Sequence, residues 1–201
     1  MSVPDLPPHA ALLLDMDGTL IELAATPDAV VVPPGLTATL RQLRAGLGNA
    51  LAIVSGRPIA QVEALLGDAP YAVAGEHGGA IRYAPGAAAQ RSGLPSLPPA
   101  ALAAAEAAIA AHPGALLEQK AHGLVLHYRQ APAAAEPLRA AAEAIAAEGF
   151  TVLASSMAWE VKPLGTDKGS AVAALMIRPP FQGRIPVFIG DDVTDEDGIR
   201  A

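Results

Sequence analysis

The stretch "LLLDMDGTL", residues 12–20, sets an uninterrupted apolar run against two aspartates one residue apart, followed by glycine and threonine. A run with no polar alternation reads as a strand buried on both faces, as in parallel sheets. Asp15 and Asp17 at its end would repel each other unless a cation sits between them. Three more apolar runs end in small or acidic residues: "ALAIVSG" (50–56), "YAVAGEHG" (71–78) and "PVFIGDD" (186–192). Between the first two runs, Leu36, Leu40, Leu43 and Leu47 make an amphipathic helix stripe. After "SGRP" (55–58), Ile59, Val62, Leu65 and Leu66 repeat it, with Pro58 suited to a first helical turn. "DKGSAVAALM" (167–176) reads as a helix with Asp167 near its start and Val172, Leu175 and Met176 on one stripe. Strands alternating with helices imply an α/β fold, a parallel sheet covered on both faces. Ligands of such sheets sit at the carboxyl ends of the strands, where all four runs place their polar residues.

The chain has 201 residues, 52% of them hydrophobic and only 3% aromatic, so the core must be Ala, Leu, Val and Ile. Gly and Pro, 19 each, punctuate the chain without forming a biased tract, which reads as folded protein. The formal net charge is −7 with no basic run, which argues against nucleic acid as a partner. No stretch has the length and apolarity of a membrane span, and the first twenty residues lack the basic start of a secretory signal. The absence of cysteine excludes disulfides and thiolate chemistry, and fits a cytoplasmic location.

The middle of the chain reads differently. Two Ala-rich helices, residues 100–111 and 133–148, are interleaved with the alternating segments 115–129 and 150–163. Residues two apart share a strand face, which groups Glu118 with Lys120, His127 with Arg129, and Glu160 with Lys162. Leu117, Leu124, Leu126, Tyr128, Trp159 and Val161 fall on the opposite face, suited to the Ala-rich helices. The expected organisation is a Rossmann-like core of residues 1–91 and 164–201 with an α+β insert, residues 92–163. The polar face of the insert is either a solvated surface or a binding surface.

A calcium loop is excluded by position, since counting from Asp15 puts its required glycine on Leu20 and its closing glutamate on Thr26. A chance pair of turn aspartates is the plain alternative for "DMDG" alone. "GDDVTDED" (190–197) adds Asp191, Asp192 and Asp195 after a second strand, another cluster calling for a cation. With all-oxygen ligands and no zinc spacing of His or Cys, Mg²⁺ is the natural choice. Ser55 offers a hydroxyl, and Lys168 a positive charge at a helix start. Together these groups describe a site for phosphoryl transfer, in which one carboxylate attacks in line.

The pieces Asp15-Met16-Asp17-Gly18-Thr19, Ser55, Lys168 and Gly190-Asp191-Asp192, in this order, resemble the haloacid dehalogenase superfamily of aspartate-dependent phosphohydrolases. The resemblance implies that Asp15 is the nucleophile and Asp17 the acid and base, with Ser55 and Lys168 at the phosphoryl group. It also implies Mg²⁺ held by Asp15, the main-chain carbonyl of Asp17 and Asp191, with Asp192 assisting through water. "AIVSGRP", "AGEHG", "LEQKAHGLVLHYR", "WEVKPLGTDKG" and "PVFIGDDVTDED" more narrowly resemble the trehalose-6-phosphate phosphatase family. That family's insert is a mobile cap recognising glucose hydroxyls, which would assign sugar contacts to Glu118, Lys120, His127, Arg129 and Glu160. His77, with Glu76, would help from the core side, and Arg57 would either hold the phosphate or cap its helix. The implied activity is Mg²⁺-dependent hydrolysis of trehalose 6-phosphate, a small phosphosugar.

The alternatives are another sugar-phosphate phosphatase or phosphomutase of the superfamily, a non-catalytic phosphosugar-binding protein, or a receiver-like phospho-acceptor. A receiver module carries its paired acids first and a single phosphorylated Asp later, and the order "DMD" then "GDD" counts against it. The resemblance further implies a helix and strands beyond "TDED". Their absence here leads to an expected exposed sheet edge, with weak stability or oligomerisation. His9 and His112 are expected to be exposed and His122 to lie in a turn. Met16 and Trp159 are expected to pack.

Overall fold

In a computed structural model, which describes residues 5–24, 26, 29–91, 93–120, 122–146 and 148–201, the opening run forms β1 (Ala10–Leu14), buried at all five positions. Residues 1–4 lie outside the described residues, as do Ser92, the expected first residue of the insert, and Ala147 near the end of the second Ala-rich stretch. The chain divides into two compact units, Met1–Ser92 with Thr166–Ala201, and Gly93–Gly165.

In the first unit, β1 is followed by α1 (Leu36–Gly46), β2 (Leu51–Val54), α2 (Ile59–Leu66), β3 (Ala72–Gly75), β4 (Ala80–Arg82) and β5 (Gln90–Arg91). After the second unit the chain returns as α5 (Lys168–Met176), β10 (Ile185–Ile189) and α6 (Asp195–Arg200). The strand order is β10-β1-β2-β3-β4-β5, parallel from β10 to β3, with β4 and β5 added antiparallel. Alternate side chains of β1 enter different cores. Leu12 and Leu14 pack with Leu40 of α1 and Ile59, Val62 and Leu66 of α2. Ala11 and Leu13 pack with Ala171, Val172 and Leu175 of α5. Both faces are thus covered by helices, which is why the run needs no polar alternation. Leu13 is fully buried, and its truncation to Ala is worth about 2–5 kcal/mol.

On the α5 side the sheet presents Ala11, Ala52, Ala72 and Ala74, small residues that let α5 lie close in a chain short of aromatics. The α1 stripe holds for Leu36, Leu40 and Leu47, while Leu43, expected on it, is exposed at the solvent edge of the helix. A capping box starts α5: the Ser170 amide donates to Asp167 Oδ1 (2.6 Å) and the Asp167 amide to Ser170 Oγ (3.2 Å). Such a cap is worth about 1 kcal/mol and fixes where Lys168 begins the helix. At the other edge of the sheet, β10 leaves Ile185 and Ile189 exposed, and Val193 and Ile199 beyond it are exposed as well.

The second unit contains α3 (Pro99–Ala110), β6 (Leu116–Gln119), β7 (Leu124–His127), α4 (Ala135–Ile145), β8 (Phe150–Ser155) and β9 (Ala158–Pro163). Its antiparallel sheet, in the order β6-β7-β9-β8, packs Leu124, Leu126 and Val161 against Ala101 and Ala105 of α3 and Leu138 and Ala142 of α4. Trp159 belongs to this core: its indole N–H donates to the Ala135 carbonyl (2.8 Å), and its ring lies against Tyr128. His112, expected to be exposed, is half-buried with Nδ1 2.8 Å from the Ala108 carbonyl, because α3 ends where its last free carbonyls need partners.

Candidate active site

Parallel register brings the first polar groups together. Leu14 of β1 lies beside Ile189 and Ile53, and the ladder runs one residue further: Asp15 N–H donates to the Ile189 carbonyl and Ser55 N–H to the Ala74 carbonyl (both 2.9 Å). Asp15, Ser55 and the Gly190–Asp191 turn therefore emerge from one edge of the sheet. After Asp15 the chain turns at once. Met16 drops into the core, Gly18 takes φ +86°, and the Leu20 and Ile21 amides return to the Met16 carbonyl. Glycine is needed at position 18 on two counts. Its φ lies in the left-handed region, and a Cβ there would sit 2.1 Å from Asp191 Oδ2. The same close approach lets Thr19 Oγ1 donate to Asp191 Oδ1 (3.0 Å).

Lys168 projects from the first turn of α5 between two buried carboxylates, with Nζ 2.6 Å from Asp15 Oδ1 and 2.6 Å from Asp195 Oδ1. Burial pushes the Asp15 carboxyl up to about 6; the Lys168 ammonium opposes that rise and the charge of Asp195 adds to it. Burial also disfavours the Lys168 ammonium, but the two carboxylates outweigh it and hold the amine above its ordinary value. Asp195 Oδ2 accepts from the Asp191 amide (3.1 Å) and the Asp192 amide (2.9 Å), so one buried side chain ties Lys168 to the turn after β10.

Among the described residues, one group has the spacing to hold a metal ion: carboxylate oxygens of Asp15, Asp191 and Asp195 lie within 4.8 Å of one another. The donors are all oxygen, which suits a hard divalent cation. In the sequence Asp195 belongs to the acid cluster calling for a cation, with no further role expected of it. The available signal was its spacing of four from Asp191, one helical turn. Asp192, expected to assist a metal through water, is outside this group, and its Oδ1 accepts from the Val193 amide (2.7 Å).

The loop after β2 is held by the turn after β3. Glu76 N–H donates to the Arg57 carbonyl (3.0 Å) and His77 N–H to the Ser55 carbonyl (3.1 Å). Glu76 and His77 both take positive φ, 54° and 52°, an arrangement that costs of order 1–3 kcal/mol per residue and clusters at functional sites. The buried His77 ring fills the space left by Gly56, where a Cβ would lie 2.7 Å from Nε2. Glu76 Oε1 is 3.6 Å from Arg91. Ser55 Oγ accepts from the Arg57 amide (3.1 Å). The Arg57 guanidinium forks onto Asp17, with Nε donating to Oδ2 and Nη2 to Oδ1.

In the second unit, Glu118 on β6, His127 on β7 and Glu160 on β9 share the sheet face away from α3 and α4. The contacts run across strands rather than along them. Lys120 Nζ donates to Glu160 (2.7 Å), His127 Nε2 lies 2.9 Å from Glu118, and Arg129 donates to the Ser156 carbonyl and hydroxyl. Burial works against the Glu118 carboxylate, but the His127 hydrogen bond and the charges of Lys120 and His127 prevail and hold it below its ordinary value.

Residues 13–201 match the trehalose-phosphatase family. A probable trehalose-phosphate phosphatase of Sinorhizobium fredii is 43% identical over 94% of this chain and 72% of that protein. The trehalose-6-phosphate phosphatase of Escherichia coli is 38% identical over 97% of this chain and 74% of that protein. Among solved structures, the C-terminal domain of Candida albicans trehalose-6-phosphate phosphatase superposes with a TM-score of 0.82, covering 95% of this chain and 72% of that one; at 23% identity it speaks to the fold. The chain belongs to the trehalose-phosphatase family.

Proposed function

We propose that the protein hydrolyses trehalose 6-phosphate to trehalose and phosphate through an aspartyl-phosphate on Asp15, the last step of trehalose formation. The observation that carries this reading is the buried Asp15–Lys168 contact beside Asp191 at the strand ends, in a chain similar to phosphatases of that substrate. In the first half-reaction an Asp15 carboxylate oxygen bonds to phosphorus while the bond from phosphorus to the sugar oxygen breaks, and that oxygen takes a proton from Asp17. In the second, water gives a proton to Asp17 as its oxygen bonds to phosphorus, which releases phosphate and restores the Asp15 carboxylate. Lys168 neutralises phosphoryl charge, and the Ser55 hydroxyl orients the group.

Asp15, Asp191 and the Asp17 carbonyl would hold Mg²⁺, with Asp192 assisting through water; when bound, the ion would draw negative charge from the phosphoryl oxygens. Its fit is supported by the all-oxygen donor set and by the side-chain-free Gly18 against Asp191. The side chains assigned to sugar hydroxyls are Glu118, Lys120, His127, Arg129 and Glu160 on the polar face of the second unit. A cytoplasmic setting belongs to the same reading; among the described residues no helix is long and apolar enough to cross a membrane.

The test is phosphate release with Mg²⁺ from trehalose 6-phosphate, glucose 6-phosphate, mannose 6-phosphate and p-nitrophenyl phosphate, with an EDTA control. Preference for the disaccharide, lost in EDTA, is expected. Equal rates on all four would remove the sugar assignment. Asp15→Asn should abolish turnover while the fold persists, because Lys168 retains Asp195; appreciable turnover by the purified variant would remove Asp15 as nucleophile.

A further inference from the structure

Arg57 is built into the first unit in a way that neither phosphate binding nor helix capping requires. Its Nε donates to Asp17 Oδ2 (2.7 Å) and its Nη2 to Asp17 Oδ1 (2.8 Å), a two-bond fork that sets the plane of the carboxylate. The pair is largely enclosed, with the Arg57 side chain 10% exposed and that of Asp17 26%. The arginine is fixed at its root, since its amide donates to Ser55 Oγ and its carbonyl accepts from the Glu76 amide. It is fixed at its tip by Nη1 donating to Gln61 Oε1 (3.3 Å), one turn along α2. The backbone of Asp17 is tied separately, through its bridge to Ile21. Both residues of the Asp17–Arg57 contact are therefore anchored through their backbones, and the fork sets how the two side chains meet.

We infer that Arg57 is a positioning residue for the Asp17 side chain rather than a ligand of the substrate phosphate: the full fork holds the carboxylate that takes a proton from water, and one arm, on the oxygen left unprotonated, holds the acid that gives its proton to the sugar oxygen. The inference rests on the proposed roles of Asp15 and Asp17. Proton transfer needs the carboxylate within hydrogen-bond reach and in a defined direction, and misplacement by about 1 Å can cost on the order of a hundredfold. Lysine would keep the charge but cannot form the planar fork.

The two half-reactions make this testable. p-Nitrophenyl phosphate expels a leaving group stable as the phenolate, so the Asp15–phosphorus bond forms and the phosphorus–oxygen bond breaks with no proton donor. Hydrolysis of the aspartyl-phosphate still needs Asp17 to take a proton from water. Arg57→Ala and Arg57→Lys are compared with wild type in Mg²⁺, in steady state and by rapid mixing, with far-UV circular dichroism as a folding check and Asp15→Asn as a control. With trehalose 6-phosphate, kcat should fall about 100-fold in both variants while KM stays within about threefold. With p-nitrophenyl phosphate, both should release a burst of about one nitrophenol per active site, followed by slow turnover. A rise in KM with kcat unchanged, the absence of a burst, or full activity in Arg57→Lys would each overturn the inference. If Arg57→Ala fails to fold, Arg57→Lys decides alone. Turnover by Asp15→Asn would bring down the parent reading instead, a result the Arg57 variants cannot mimic.

Discussion

Asp195→Asn removes one charge and no volume from the most enclosed carboxylate of the site. Asp195 is 1% exposed, and each of its oxygens is an acceptor: Oδ1 for the Lys168 ammonium, Oδ2 for two backbone amides. An asparagine has one acceptor and one donor, so its NH₂ must face either the ammonium or the pair of amides. Neither orientation satisfies the site. Breaking one partner of a buried ion pair costs about 3–5 kcal/mol, and Lys168 keeps Asp15, which points to the low end, about 3 kcal/mol. For a chain of this length that corresponds to a fall in Tm of roughly 6–12 °C. The assay is thermal and urea denaturation of wild type and variant by circular dichroism, both in EDTA so that metal binding cannot contribute. Phosphate release should fall as well, since the Asp191 turn loses its anchor. A stability change below about 1 kcal/mol would refute the reasoning, because the ion pair and the paired amide bonds could not then both contribute.

Two further substitutions probe the same geometry from other sides. Gly18→Ala places a Cβ against the Asp191 carboxylate in a left-handed backbone; stability should drop by about 2–3 kcal/mol in denaturant titrations and activity by about tenfold or more, and a neutral result would contradict the close approach. Glu118, held below its ordinary 4.5, contributes stability that is complete above that pH and lost as pH falls through its folded value. Glu118→Gln should therefore be less stable than wild type at about pH 7, with the difference shrinking as pH falls below 4.5 and through the folded value; a constant difference would show that the His127 contact does not discriminate the ionised form.

The strands carrying the site were legible because β1 and β2 are buried on both faces and so lack polar residues until they end. The ends of these runs place Asp15, Ser55 and Asp191 on one side of the sheet. What stayed hidden depends on long-range register and direction. Three consecutive acidic residues, Asp195, Glu196 and Asp197, look alike in sequence, yet only Asp195 of the three turns inward, because it opens α6 beneath the Asp191 turn. The Arg57 fork spans forty residues of chain to Asp17 and leaves no local periodic signal. In the second unit the shared faces could be read from alternation. The partners could not, since they depend on how β6, β7 and β9 slide past one another. β4 and β5, three and two residues long, are too short for any pattern.

The single tryptophan of the chain is Trp159, packed on β9 with its indole N–H on the Ala135 carbonyl and the Arg139 guanidinium over its ring. Excited at the red edge of its absorption, the protein therefore emits from the second unit alone. Far-UV ellipticity sums over both units. A shift in emission maximum that runs ahead of, or behind, the loss of ellipticity in the same urea titration would report the two units unfolding separately, with no label and no added mutation.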